Sequence, residues 1–132
     1  MRLVVAAILV DGHGRVLAAQ RAYPAQLAGK WEFPGGKTEP GESAREGLVR
    51  EIGEELGIEV TLGDELPGPD HGHWPINDHL ELRAFFATSQ SDPTVGDDHH
   101  DLCWVAPDDL AALDWLPADV ALAAAVYATM TP

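Results

Sequence analysis

Residues 36–58 read Gly36-Lys-Thr-Glu-Pro-Gly-Glu42-Ser43-Ala-Arg-Glu46-Gly-Leu48-Val49-Arg50-Glu51-Ile52-Gly-Glu54-Glu55-Leu56-Gly57-Ile58. Ser43 follows the Pro40-Gly41 turn and predicts a helix start, with Glu46 three residues on as its capping-box partner. Gly57 stands where the helix would end in the left-handed conformation that glycine tolerates. At 100° per residue Leu48, Val49, Ile52 and Leu56 form one apolar stripe. Glu51, Glu54 and Glu55 fall on a neighbouring stripe roughly 100° wide, at i,i+3 and i,i+4 spacing. Like charges so placed repel one another and weaken a bare helix. A cation among them removes that cost, and Mg²⁺ or Mn²⁺ suits carboxylate oxygens while keeping positions open for phosphates. Arg50 lies beside the cluster and can hold one carboxylate by a bidentate contact. The alternative is a solvated acidic face, but Glu55 lies close to the apolar seam and should be partly buried.

Outward from the helix, the Gly35-Gly36 pair allows the backbone to approach a phosphate or a cation closely, or simply makes a tight turn. Trp31 and Phe33 should share one face of a short strand near 30–34, with Glu32 on the other. They either stack on a ligand or belong to the core. Further back, Leu3 to Val10 is a continuous apolar run ending in Asp11-Gly12-His13-Gly14, with a second run from Val16 to Ala19. These predict strands near 2–10 and 15–21 joined as a hairpin, and not a signal peptide or membrane span. Beyond the helix, strands are expected at Glu59 to Leu62, near 79–88, and at Leu102 to Val105, with the Pro/Gly-rich stretch from Pro67 to Pro75 between. A short helix starts at Pro107-Asp108, and a final helix runs from about Ala118 to Thr129. The class expected is α+β, a mixed sheet between helices, in one domain over residues 1–132.

The chain has 132 residues, 45% of them apolar, and a formal net charge of −14. That charge argues against a nucleic-acid polymer or an anionic membrane as partner. It also repels a polyphosphate, so bound divalent cations and local basic groups must offset it near the site. Arg21, Lys30, Lys37 and Arg50 are the candidates, four of the eight basic residues. The single cysteine, Cys103, excludes an intrachain disulfide, suits a reducing cytoplasmic setting, and reads as buried and inert. The His71-x-His73 and His99-His100 pairs read as loop histidines.

The stretch that opens this section matches G-x5-E-x7-R-E-U-x-E-E-x-G-U at every defined position, U being a bulky aliphatic. Seven fixed residues and two aliphatic slots coincide by chance with probability on the order of 10⁻⁹ per start position. On these residues the chain resembles the Nudix hydrolases. Arg21, the run from Leu27 to Pro34, the segment Asp98 to Trp104 and Leu116-Pro117-Ala118-Asp119 resemble the MutT-type branch of that family. The resemblance implies an α/β/α sandwich with the signature helix against the sheet. It implies hydrolysis of a nucleoside triphosphate to the monophosphate and pyrophosphate, by water attacking the β-phosphorus with Mg²⁺ or Mn²⁺. Glu54, Glu55 and the Gly35 carbonyl would hold the metal, and Glu51 would be general base or a further ligand. Arg50 would orient Glu51, and Glu42 would brace the loop. Arg21, Gly36, Lys37 and Phe33 would line the substrate site.

Asp98 stands six residues before Trp104, where relatives carry a metal-binding Glu. It is shorter by roughly 1.5 Å of reach, and reads as a metal-site residue or as part of a solvated acidic loop. Asp119 falls where relatives read the base edge, and a carboxylate there suits an exocyclic amine. It could equally cap the last helix. The resemblance implies a small nucleotide as partner, of cytidine or oxidised-guanine type, and a monomer or homodimer. ADP-ribose and nucleotide-sugar pyrophosphatases tend to carry a proline about fifteen residues past the signature; here His71-Gly72-His73 occupy those positions. A catalytically silent nucleotide sensor usually lacks a signature glutamate, and all are present here.

Overall fold

The apolar N-terminal run becomes β1 (Arg2–Leu9), a strand buried on both faces. A continuous apolar run, instead of an alternating one, is what such a strand requires. It is followed by β2 (Val16–Arg21), β3 (Trp31–Glu32), β4 (Gly35–Lys37), α1 (Ala44–Leu56), β5 (Thr61–Leu66), β6 (Trp74–Pro75), β7 (Leu80–Thr88) and β8 (His99–Val105). A 3₁₀ turn (Pro107–Ala112) and α2 (Pro117–Met130) complete the chain. The computed structural model describes residues 2–96 and 99–131.

Among the described residues the strands form two sheets. One has the order β4-β1-β7-β5, with β6 also on β7, and the other has the order β3-β2-β8. The β1–β7 pairing is parallel and the remaining pairings are antiparallel. The expected hairpin of the first two strands does not form. Both edges of β1 are taken, by β4 and β7, so β2 crosses to the second sheet. The connection is tied by the Val10–Val16 bridge, by the Asp11 amide on the Arg15 carbonyl at 3.0 Å, and by the Asp11 carboxylate, which accepts from the His13 and Arg15 amides at 2.9 Å.

Alternation along β1 divides the core. Val5, Ala7 and Leu9 pack with Leu48, Ile52 and Leu56 of α1, while Ala6 and Ile8 pack with Trp115, Leu122 and Val126 on the α2 side. Helices thus lie against both faces, as the α+β sandwich expectation requires. Each fully buried aliphatic of α1 contributes about 1.5–3 kcal/mol. Val49 does not join them; it is 41% exposed. The buried face centres on Ala44, Leu48, Ile52 and Leu56, and Val49 sits at its margin.

The helix ends are as the local residues dictate. Glu46 N–H donates to Ser43 Oγ at 3.1 Å, and Ser43 N–H donates to Glu46 Oε1 at 2.9 Å. Gly57 closes α1 at φ 68°. By contrast α2 opens with Leu116 at the cap position and Pro117 at the first turn, with no side-chain cap, so Asp119 does not cap it. β5 starts two residues later than expected and extends to Leu66. Gly63 and Asp64 disfavour a strand locally, but pairing with β7 overrides them across a bulge between Leu62 and Glu65. β8 begins at His99, ahead of Leu102, because His99 pairs with Arg21.

Candidate active site

The loop between β3 and α1 is pinned by glycines with specific steric reasons. A Cβ on Gly35 would overlap the Val5 carbonyl of the neighbouring strand. A Cβ on Gly36 would lie 2.5 Å from the Glu51 carboxyl carbon. These residues form β4 itself, not only a turn, and the missing side chain of Gly36 makes room for a carboxylate.

Arg50 organises that carboxylate region. Its Nε and Nη2 donate to Glu42 Oε2 and Oε1 at 2.7 and 3.0 Å, a bidentate pair. Its Nη1 donates to Glu51 Oε1 at 3.1 Å and to Glu54 Oε2 at 3.2 Å, and Nη2 also reaches the Lys37 carbonyl at 3.1 Å. Glu42 in turn accepts the Glu39 N–H at 2.9 Å, which braces the loop. The Arg50 bond and that backbone N–H hold the Glu42 carboxyl below the usual range.

Glu51 and Glu55 lie one turn apart and both are pushed up. Burial raises Glu51, against the pull of Arg50. Burial raises Glu55 to about 7, with His99 opposing and the charges of Glu32 and Glu51 adding; the Gly35 N–H donates to Glu55 Oε2 at 3.3 Å. Glu54 behaves differently: its side chain is 62% exposed and turned onto Arg50. Glu51 and Glu54 meet at Arg50 Nη1, and among the described residues no three His, Cys, Asp or Glu side chains gather as a preformed cation cluster. The donors still fit a hard divalent cation. Two partly desolvated carboxylates with raised pKa on adjacent turns present oxygen ligands, beside a glycine that leaves space for one of them. Asp98 lies outside the described residues.

Beside this helix is a cavity of about 270 Å³. Arg21, Phe33, Gly35, Gly36, Lys37 and Asp119 all line it, so it gathers the substrate-site residues expected from the sequence. Ile76, Leu80 and Leu82 supply an apolar wall. Phe33 is buried and stacks on Trp115, centroids 4.6 Å apart at 17°, so its ring is fixed before any ligand arrives. Trp31 packs against the core and does not line the cavity. Asp119 is 7% exposed, and its carboxyl has no hydrogen bond among the described residues. Burial and then the Glu32 charge push it to about 8. It is a neutral donor and acceptor at neutral pH. Arg21 donates to Glu32 Oε2 at 3.3 Å and to the Tyr23 carbonyl at 2.9 Å, whereas Lys30 is drawn off to Asp114 at 2.9 Å.

Two residues of this region were not legible beforehand. His99 is a buried strand residue, not a loop histidine, with Nε2 2.8 Å from Glu32 Oε2. Burial pulls its pKa down, but the bond and charge of Glu32 prevail and it is raised. Strand alternation gives Glu32 a face but no partner. The one signal was an acidic residue between two aromatics on a short strand. His73, of the other pair, meets Glu81 at 2.9 Å.

A helix bearing carboxylates thus lies beside an open, largely apolar cavity. A model of the NUDIX domain matches residues 1–126. A Mycobacterium tuberculosis protein with the provisional name 8-oxo-dGTP diphosphatase 2 is 43% identical over 121 residues, covering 89% of this chain and 82% of that protein. The CTP pyrophosphohydrolase of Escherichia coli is 36% identical over 124 residues, 94% of this chain and 90% of that protein. The solution structure of the Escherichia coli ORF135 protein superposes with TM-score 0.81 at 34% identity, over 99% of this chain and 91% of that one. The chain belongs to the Nudix family and is a MutT-type Nudix hydrolase. No helix among the described residues is long and apolar enough to cross a membrane.

Proposed function

We propose that this hydrolase converts a (deoxy)nucleoside triphosphate of cytidine or 8-oxoguanine type to the monophosphate and pyrophosphate, clearing the nucleotide pool of the cytoplasm. One domain over residues 1–132, as monomer or homodimer, carries the activity. The observation that supports this reading most is the continuity of the site. One cavity is lined by Phe33, Asp119, Gly35 and Gly36, and Gly36 abuts the Glu51 carboxylate of the helix. A base held by Phe33 and Asp119 puts its phosphates beside the helix. The relatives named for 8-oxo-dGTP and CTP support the same substrate class.

In this reading Glu54, Glu55 and the Gly35 carbonyl hold Mg²⁺ (or Mn²⁺), with Asp98 as a further candidate. A cation held there would acidify water and neutralise phosphate charge. Glu51, held by Arg50 and partly desolvated, takes the proton of the attacking water or joins the ligands. Arg21 and Lys37 offset phosphate charge against the overall −14. Asp119, neutral near pH 7, offers both a donor and an acceptor to a base edge.

The test is a nucleotide panel with Mg²⁺, scored for monophosphate and pyrophosphate. CTP, dCTP or 8-oxo-dGTP should exceed ADP-ribose by more than about tenfold in kcat/KM, about 1.4 kcal/mol of transition-state preference. ADP-ribose as the best substrate would overturn the substrate class. Tight nucleotide binding without turnover would instead mark a sensing module.

A further inference from the structure

The bulge in the β2–β8 ladder gives His99 its place. The register passes from Gln20↔Asp101 to Arg21↔His99, so one extra residue of β8 is accommodated there. Glu32 pairs with Ala19, two residues before Arg21. By strand alternation Ala19, Arg21, Glu32 and His99 all project from one side of the sheet. The His99 side chain is 1% exposed. Its Nδ1 meets no partner among the described residues, so the 2.8 Å contact of Nε2 with Glu32 is what orients the ring. A carboxylate only accepts, so Nε2 carries the proton and donates. The same Glu32 oxygen takes Arg21 Nη1 at the longer distance of 3.3 Å.

Glu32 is the crowded member of this group. Its charge acts on Glu55 at the helix and on Asp119 in the cavity, both through space and both unfavourably. Without the His99 donor, Glu32 would be held by Arg21 alone. We propose that His99 is a positioning residue for the nucleotide cavity: through its bond to Glu32 it fixes where Glu32 and Arg21 stand on the wall, and so how firmly the nucleoside is held. This rests on the reading that the cavity takes a nucleotide. His99 is not itself among the lining residues and meets the cavity wall through Glu32, so its effect falls on substrate affinity more than on turnover.

The test uses full-length protein with the best substrate of the panel. H99L, which removes the donor at similar volume, should raise KM about tenfold and leave kcat within about threefold. H99Q, whose amide returns a donor near the Nε2 position, should restore KM to within about threefold of wild type. E32A should raise KM by itself, and H99L added to E32A should cause no further loss, because His99 acts through Glu32. H73Q, at a His–Glu pair outside the cavity lining, should change nothing. If H99L fails to fold, H99N, which keeps a polar group but draws the donor back from Glu32, should show the same rise in KM. An unchanged KM, a fall confined to kcat, no rescue by H99Q, or losses that multiply in E32A/H99L would each overturn the proposal. If wild type turns over no nucleotide, the substrate reading fails on its own. The same variants are then compared by calorimetric affinity for CMP and 8-oxo-dGMP without metal, where absence of binding or equal affinities would overturn the role of His99.

Discussion

Replacing Glu55 by Gln separates what that carboxylate does for chemistry from what it costs the fold. Burial, with the charges of Glu32 and Glu51 adding, lifts Glu55 from 4.5 to about 7. The folded protein therefore binds more protons than the unfolded chain between those values. Stability falls as pH rises from about 4.5, and the loss is complete above about 7. At about 1.4 kcal/mol per pH unit the gap amounts to about 3 kcal/mol. Water reaching the cavity side lowers this to about 2 kcal/mol. A glutamine keeps the shape and can still accept the Gly35 N–H, but carries no charge. In EDTA, urea unfolding should find E55Q and wild type equally stable near pH 4.5, and E55Q more stable by about 2 kcal/mol near pH 8. With Mg²⁺, kcat of E55Q should fall at least about a hundredfold. Added Mg²⁺ should stabilise wild type by mass action and close the gap. E55Q less stable than wild type near pH 8, or equally stable at both pH values, would refute the claim that this carboxylate is buried at a cost. An active E55Q would refute its place in the metal site.

Gly36→Ala places a methyl 2.5 Å from the Glu51 carboxyl carbon, so the Glu51 carboxylate must move from its place. Circular dichroism should show a folded protein and the nucleotide assay a loss of at least about a hundredfold in kcat; near-normal turnover would show that Glu51 is not needed where it stands. Asp119→Asn replaces a buried carboxyl whose pKa is raised from 3.8 to about 8. The folded form loses stability as pH rises between those values, so D119N should be the more stable protein near pH 9 and no more stable near pH 4. Its base preference should shift as well, since an amide and a neutral acid present different donors; an unchanged ranking across the panel would remove Asp119 from base reading.

Much of the site follows from short-range rules. Ser43 and Glu46 make the cap, Gly57 makes the stop, and i,i+4 spacing puts Leu48, Ile52 and Leu56 in the core with Glu55 at their margin. The raised pKa of Glu55 is a consequence of that placement. Local rules fail where an exposed direction competes with a charged partner. Glu54 stays largely exposed while sharing Arg50 with Glu51, so among the described residues no three carboxylates gather. They fail again at the first two strands, where a turn signal implies a hairpin but β1 already has a neighbour on each edge.

The sequence by itself determined the signature helix, its caps, its acidic face and the family. Each depends on residues within a turn or two of one another, whose geometry the backbone sets alone. Only the tertiary structure decided that Gly36 clears space for Glu51, that Asp119 lies buried and unpaired against the cavity, and that His99 holds Glu32. Those contacts join strands and helices 15 residues apart in the first case and 67 in the last. Their partners are chosen by which edges and faces remain open once the sheets have formed, and no local pattern records that choice.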